Sequence, residues 1–502
     1  MNPAGPGLRH FDRLRDPAPL AGRRASCHEC PMATFLAILH LLCFAAVTLR
    51  VLARSDMLPT TRVAWILVLL VVPAFGLLLY FFVGEVNFRG PARAAHLAAE
   101  AATRPFVAAS GERPDLDRFG VASGFAASIN GFGPTEGNRG ELLDSPAGAR
   151  ARMIEDFDNA GESISVLYYI WLDDGTGRAV ADALIRAARR GVRCKAMVDA
   201  VGSRAFVKSR TWAELRAAGV ETAVALPLGN PLKTMFQRRI DLRNHRKITV
   251  IDDRILHCGS QNCADAAFRV KPKFAPWVDI MVRFEGPVVR QMHLLFAQDW
   301  LGYRPDELEH FSTAIEPLPG GFVAQAVGTG PNVRHGITAQ LFSRLIYEAR
   351  SELIITTPYF VPGETVCEAL TSAAQSGVAV TLILPRRNDS GFVSNASRSY
   401  YPRLIAAGVK IAEYNGGLLH SKTLTIDGQT TFMGSSNMDI RSFDLNFEND
   451  VLLTDTALTE KIRERQMEYL AASTPVDPAA VKAWSIPRRI WFNAFAVVGP
   501  IL

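Results

Sequence analysis

The sequence predicts an α/β protein of two pseudo-symmetric lobes, each a mixed sheet flanked by helices, preceded by a two-helix transmembrane hairpin. Three observations carry this. Strand and helix patterns alternate in two separate series. One polar pattern ends both series. Two uncharged apolar runs precede them.

The apolar runs are residues 32–49 and 63–83. At 1.5 Å per residue the second reaches roughly 30 Å, the hydrocarbon thickness of a bilayer. Trp65 stands at one end and Tyr80, Phe81 and Phe82 at the other, where interfacial aromatics belong. Pro73 marks a kink, and His40 is expected to be neutral and packed against the second helix. Residues 31–90 therefore form the membrane anchor. Arm 1–30 is basic, with Arg9, Arg13, Arg15, Arg23 and Arg24. Arg89, Arg93 and Arg104 follow the anchor, against Arg50, Arg54 and Arg62 in its loop. That bias places both ends, and the lobes, on the cytoplasmic side of the cell's inner membrane. Cys27 and Cys30 have zinc-ligand spacing, but no second pair lies nearby and no metal site is expected.

The bulk numbers narrow the class. A chain of 502 residues is too long for one ordinary core. Its net charge of +6 suits an anionic membrane or nucleic acid. Seven scattered cysteines argue against a disulfide framework. About thirty polar or mixed residues precede the first apolar run, so no cleavable signal peptide is expected.

Residues 91–145, rich in Ala, Gly and Pro, read as a linker with some helix. The first lobe, 146–325, opens with a strand at 164–172, an amphipathic helix at 177–191, a strand at 192–199 and a strand at 219–226. The second lobe, 326–475, repeats the order: a helix at 337–351, the strand "ELIITTPYF", the helix "GETVCEALTSAAQSG", the strand "VAVTLILP" and a strand at 408–414. "AVGTGPN" (326–332) reads as the boundary between lobes because of its Gly and Pro. Residues 476–502 form an amphipathic tail. Its last stretch, 487–502, is too short to span a bilayer. It lies in the interface with Arg488 and Arg489 at headgroups, or packs on the domain. "RVKPK" (269–273) and "PRRND" (385–389) are solvated basic loops or a rim that meets headgroups.

The polar pattern is "RNHRKITVIDDRILHCGSQN" (243–262) and "GLLHSKTLTIDGQTTFMGSSN" (417–437). His245/His420, Lys247/Lys422, Asp252/Asp427, Gly259/Gly434, Ser260/Ser435 and Asn262/Asn437 all match at an offset of 175. The chain is therefore an internal duplication. Each His runs into a β-branched strand, where alternate side chains share a face. His and Lys point to one side and line the site. The Asp residues point to the other and tie down backbone. Paired imidazoles, lysines and Asn amides suit a phosphodiester: one ring attacks phosphorus, the other protonates the leaving oxygen, and cations and amides hold the phosphoryl oxygens. A carboxylate behind each ring would fix its tautomer. Asp279, 34 residues beyond His245, and Glu448, 28 beyond His420, are the candidates.

These residues resemble the phospholipase D superfamily. With "AWILVLLVVPAFGLLLYFFVGE", "YYIWLDDGTG", "RNHRK" and "GLLHSK", the likeness narrows to bacterial cardiolipin synthases and runs from about residue 60 to 475. The first copy departs in reading Gly259-Ser260-Gln261-Asn262, where the family often has a doubled Gly. The resemblance implies a reaction without metal or cofactor, through a phosphohistidine, that converts two phosphatidylglycerols to cardiolipin and glycerol. It implies His245 as nucleophile and His420 as general acid. His245, Lys247, Asp252, His420, Lys422 and Asp427 form the catalytic motif. Asn262, Asn437, Ser260 and Ser435 are expected on the substrate phosphate; the expected partners of the enzyme are phosphatidylglycerol and an anionic membrane, with no nucleic acid. Hydrolysis of phospholipid or nucleic acid by water is the alternative chemistry, and a non-catalytic membrane scaffold is the third reading.

Overall fold

A computed structural model describes residues 31–498 except 56, 58, 86–89, 109–118, 229–238, 240 and 305–314. Arm 1–30, with Cys27 and Cys30, lies outside the described residues, as does the end of the tail. The chain divides into two units, Met1–Tyr80 and Phe81–Leu502.

The first unit is apolar helix. Pro31–Ala53 is continuous, and within it Thr34–Ala53 is long and apolar enough to cross a membrane. Its apolar side chains are exposed, Phe35, Leu41 and Leu42 among them. The second apolar run does not form one helix. It breaks into Pro59–Val71 and Pro73–Val83, each shorter than a span. Proline lacks a backbone N–H and clashes with the preceding turn, so Pro73 interrupts the helix that hydropathy alone joins.

The second unit is built on one sheet. The first repeat supplies β1 (Thr135–Leu142), β2 (Ser163–Tyr168), β3 (Arg193–Asp199), β4 (Glu221–Ala225), β5 (Arg243–Asn244), β6 (Lys247–Ile251), β7 (Ile255–Gly259), β8 (Trp277–Val278) and β9 (Met281–Glu285). The second supplies β10 (Phe322–Thr329), β11 (Glu352–Thr356), β12 (Phe360–Val361), β13 (Ala379–Pro385), β14 (Lys410–Tyr414), β15 (Leu418–Leu419), β16 (Thr423–Ile426), β17 (Thr430–Gly434), β18 (Met438–Asp439), β19 (Asn446–Thr454) and β20 (Ser473–Pro475). The lobes do not keep separate sheets. A 16-stranded sheet runs β20-β14-β13-β11-β16-β17-β19-β10-β1-β9-β7-β6-β2-β3-β4, with β5 joined to β19.

Apart from the edge strand β20, the order reads the same from both ends toward the antiparallel β1–β10 pair. In each half the three strands β2-β3-β4 or β11-β13-β14 are parallel and the strands nearer the seam antiparallel, with β20 added antiparallel at one edge. β1–β10 is thus the seam of the duplication. Two sequence expectations change here. "AVGTGPN" is not a linker, since its first four residues end β10 in the middle of the sheet. The 91–145 linker contains β1, whose polar sequence "TEGNRGEL" hides a strand that carries Gly137 at φ +77°.

Amphipathic helices cover the sheet. Gly175–Arg189 buries Val180, Leu184 and Ile185 on the first half, and Gly363–Gln375 buries Val366 and Leu370 on the second. Helix Pro287–Leu301 is buried almost throughout, with Met292, Leu295, Phe296 and Trp300 in a central cluster shared with Met433, Val451 and Leu453 of the other repeat. Burial of side chains of this size is worth about 1.5–3 kcal/mol each, so the two repeats share one core and fold as one body.

Candidate active site

The dipeptide before each motif histidine leaves its own half of the sheet. β5 pairs in parallel with β19, and the His245 N–H continues the ladder to the Phe447 carbonyl at 2.9 Å. β15 pairs in parallel with β8, and the His420 N–H reaches the Val278 carbonyl at 2.8 Å. Each repeat therefore hands its histidine to the other.

The consequence is a crossed pairing. His245 Nδ1 lies 2.8 Å from Glu448 Oε2, and His420 Nδ1 lies 2.6 Å from Asp279 Oδ1. Proximity along the chain assigned Asp279 to His245 and Glu448 to His420. That assignment is reversed, because the ladder sets the register: Glu448 follows Phe447 on β19 and Asp279 follows Val278 on β8.

Ser260 and Ser435, expected on the phosphate, face the carboxylates instead. The Ser260 hydroxyl donates to Asp279 at 2.7 Å, and that of Ser435 donates to Glu448. Glu448 also accepts from Ser442 at 2.7 Å and Asn446 at 3.2 Å. The preceding glycines make this possible. A Cβ on Gly259 would sit 2.2 Å from the Ile280 carbonyl oxygen, and one on Gly434 2.3 Å from that of Asn449. Only glycine lets the strands approach closely enough to bring each serine to its acid.

Lys247 and Lys422 are buried, each Nζ donating to the carbonyl of its own repeat's histidine, at 2.6 and 2.7 Å. Asp252 and Asp427 leave the site, as the strand alternation requires. Asp252 accepts from the N–H groups of Gly161, Glu162 and Ser163, each at 2.8 Å. Asp427 accepts from those of Arg350, Ser351 and Glu352. Both residues sit in the left-handed region, at φ +50° and +51°. They are motif residues that hold turns, and neither touches the cavity.

A cavity of about 320 Å³ is bordered by His245, His420, Asn262 and Asn437 together. With each Nδ1 held by a carboxylate, Nε2 is the nitrogen left for a substrate. Asn262 accepts from the Ile170 N–H through Oδ1, and its buried Nδ2 has no protein partner. It is a donor poised for an anion. The cavity lining is mixed. It includes Arg243, Arg441 and Asn446 as well as the apolar Phe268, Val270 and Trp277. Tyr169 packs edge-on to His245 at 4.8 Å and Trp277 tilts on His420 at 4.5 Å. The repeated motif does not reveal these rings or Arg246, which is buried and joins the Glu448 carbonyl to Asp299. The only sequence signal for Arg246 is its place inside "NHRK".

Burial, the Lys charges and the carboxylates compete at the rings. Burial and both lysines push His245 and His420 down to about 4, against the pull of Glu448 and Asp279. Burial raises Asp279, yet His420 and Lys422 outweigh it and hold the carboxyl at about 2. Glu448 is likewise held below its ordinary value by His245 and Lys247 despite burial. Burial lowers Lys247 to about 8 and Lys422 to about 7. At neutral pH the site thus presents two neutral imidazoles, each giving Nδ1–H to an ionised acid, with the Nε2 lone pair toward the cavity. Among the described residues no cluster of three His, Cys, Asp or Glu side chains could hold a metal.

The family model described as cardiolipin synthase, phospholipase D-like domain, matches residues 153–300 and 342–469, and a phospholipase D-nuclease N-terminal model matches 34–85. The chain is 34% identical over 482 residues to cardiolipin synthase A of Edwardsiella ictaluri, covering 92% of this chain and 96% of that one. It is 35% identical over 471 residues to cardiolipin synthase A of Proteus mirabilis, covering 88% and 94%. The fold matches a crystal structure of phosphatidylserine synthase from Haemophilus influenzae at a TM-score of 0.57 and 14% identity, over 76% of this chain and all of that one. The chain belongs to the cardiolipin synthase family of phospholipase D-type phosphatidyltransferases.

Proposed function

We propose that this enzyme joins two phosphatidylglycerols into cardiolipin and glycerol in a single cavity, through a phosphatidyl group carried on His245. The crossed His–carboxylate pairs are the observation that carries the reading. Each acid fixes the Nδ1–H tautomer and leaves Nε2 as the reactive nitrogen.

In the first step His245 Nε2 attacks the donor phosphorus. The bond to the glycerol oxygen breaks, and His420 Nε2–H protonates that oxygen as glycerol leaves. The entering phosphodiester supplies the condition for this proton. Its negative charge against a ring otherwise held near 4 favours the imidazolium. The Asn262 amide orients the phosphoryl oxygens, and Lys247 and Lys422, buried at the histidine carbonyls outside the cavity lining, offset their charge through space. In the second step His420 takes the proton from the glycerol hydroxyl of another phosphatidylglycerol. That oxygen attacks phosphorus, the P–N bond breaks, and cardiolipin is released with His245 free. One phosphodiester replaces another, so direction follows lipid and glycerol levels.

The apolar N-terminal helices support placement on a membrane, with the second run serving as a two-part return leg of a hairpin and the Arg bias favouring cytoplasmic lobes. Arg243 and Arg441 in the cavity lining suit acidic headgroups. The test is purified enzyme in phosphatidylglycerol vesicles with a chelator present. Cardiolipin and glycerol in equal amounts are expected. Phosphatidic acid as the sole lipid product would make the enzyme a hydrolase.

A further inference from the structure

The C-terminal helix Ile486–Val498 has two apolar faces, and the fold uses only one. The inner face packs on helix Gly391–Ala406: Phe495 stacks edge-on against Phe392 at 5.3 Å, Phe492 is buried against Trp484, and Trp491 Nε1 donates to Asn395 at 3.1 Å. The outer face is bare. Ile486 is 72% exposed, Ile490 62% and Val497 76%, three positions on one helical stripe, with Trp491 beside them at 57%. Arg489, also exposed, flanks this stripe; Arg488 lies on the opposite side of the helix, over the Trp484 and Phe492 rings at 4.8 and 5.5 Å. An exposed Ile–Trp–Val face with a basic residue at its edge fits a helix that lies in the plane of a lipid interface.

This helix sits on the rim of the substrate cavity. Asp389 borders the cavity, accepts from Tyr359 at 2.7 Å, and pairs with Lys271 at 2.7 Å. The Ser390 hydroxyl then caps the Gly391–Ala406 helix, and Phe392 in its first turn carries Phe495. On the other side of the Lys271–Asp389 pair, Val270 borders the cavity and is 62% exposed. The Phe495 end of this helix thus joins the cavity border through Phe392, Ser390 and Asp389, a rim whose exposed basic residues are Lys271 and Lys273.

We infer that this rim docks on the surface of an anionic phospholipid bilayer, seating the cavity mouth at the lipid headgroups. The inference rests on the phosphatidyl-transfer reading. Buried apolar side chains supply depth, and basic side chains select acidic lipid. Docking shortens the path of a diacyl substrate from bilayer to cavity and does nothing for a substrate dissolved in water.

The test compares two substrate forms with full-length enzyme in nanodiscs. The double variant Ile490→Glu, Val497→Glu changes only the exposed stripe and is expected to melt with the wild type. Turnover of long-chain phosphatidylglycerol in the bilayer should fall at least about tenfold, the loss that follows when apolar burial of this size is given up. Turnover of a short-chain, monomeric phosphatidylglycerol should stay within about twofold. Equal loss on both substrates, or no loss on either, would overturn the inference. So would a wild type that is dimeric where the variant is monomeric, since a second copy would then cover the stripe. A second readout needs no activity. Brominated phosphatidylglycerol should quench the wild type more than Trp491→Phe, and equal quenching would count against docking. If the wild type makes no cardiolipin from either substrate yet Trp491 is quenched, the reaction assignment fails and the docking stands.

Discussion

His245 Nδ1 lies 2.8 Å from Glu448 Oε2, and the two residues belong to different repeats. The reciprocal pair, His420 and Asp279, crosses in the other direction at 2.6 Å. Neither half of the duplication holds a finished site. Removing one acid should cripple the histidine of the other repeat. Glu448→Gln and Asp279→Asn are each expected to lower kcat by about 10²- to 10⁴-fold, by releasing the tautomer and the ring orientation. KM for phosphatidylglycerol should change little. A KM effect with kcat preserved would make the acids structural.

The proposed mechanism gives the two histidines different covalent fates. His245→Ala should abolish both cardiolipin formation and any adduct. His420→Ala should abolish turnover with phosphatidylglycerol, yet still form the adduct from a donor whose leaving group needs no proton, such as a phosphatidyl nitrophenol. Stopped-flow release of nitrophenol in a single burst checks this.

The lysines set the alkaline limit. Both are lowered by burial, Lys247 to about 8 and Lys422 to about 7, so they lose charge as pH rises through that window. In kcat/KM, which reports the free enzyme, activity should fall as pH passes from 7 to 9. Lys422→Arg keeps its charge throughout this range. Its rate at pH 7 should be lower, but its decline toward pH 9 shallower. Identical alkaline limbs would remove Lys422 from the phosphate's environment.

Asp252 and Asp427 should matter to stability and not to chemistry. Burial raises the Asp427 carboxyl, but the Glu352, Ser351 and Arg350 hydrogen bonds outweigh it and hold it at about 2, below its ordinary 3.8. Its contribution is complete above the ordinary value and is lost as pH falls through about 2. Asp427→Ala is expected to cost about 1–2 kcal/mol, toward the low end for charged hydrogen bonds because the group is partly exposed. Asp427→Asn should cost less, since Asn tolerates φ +51° and can still accept. Melting temperature should drop in both while kcat at 25 °C stays within about twofold.

Much of this was readable from the chain. The alternation of β2, the Gly175–Arg189 helix and β3, and its return in β11, the Gly363–Gln375 helix and β13, follows from local periodicity, which a single sequence expresses well. The twin motifs were legible because duplication preserves spacing. The crossed acids were not. Asp279 and Glu448 were visible as candidates, but their partners are set by β5 on β19 and β15 on β8, pairings between distant segments that no local pattern encodes. The same limit misread Gly328 in "AVGTGPN": it marks a close approach of Leu295 inside a strand, where a Cβ would lie 2.4 Å from that side chain. Pro73 marks a kink in the sequence, but hydropathy does not register that a proline ends a continuous helix, which stops at Val71 and restarts at Pro73. The serines of Gly-Ser-x-Asn were placed on the phosphate because the pattern shows residue types and not directions.

The central claim is that two half-sites make one reaction centre, with His245 as the attacking group and Glu448 of the other repeat holding it. Mass spectrometry of enzyme acid-quenched during turnover of phosphatidylglycerol tests it most directly. A phosphatidyl group on His245 is predicted in the wild type, strongly depleted in Glu448→Gln. An adduct on His420, or one on His245 that forms as fast without the Glu448 carboxylate, would contradict the account.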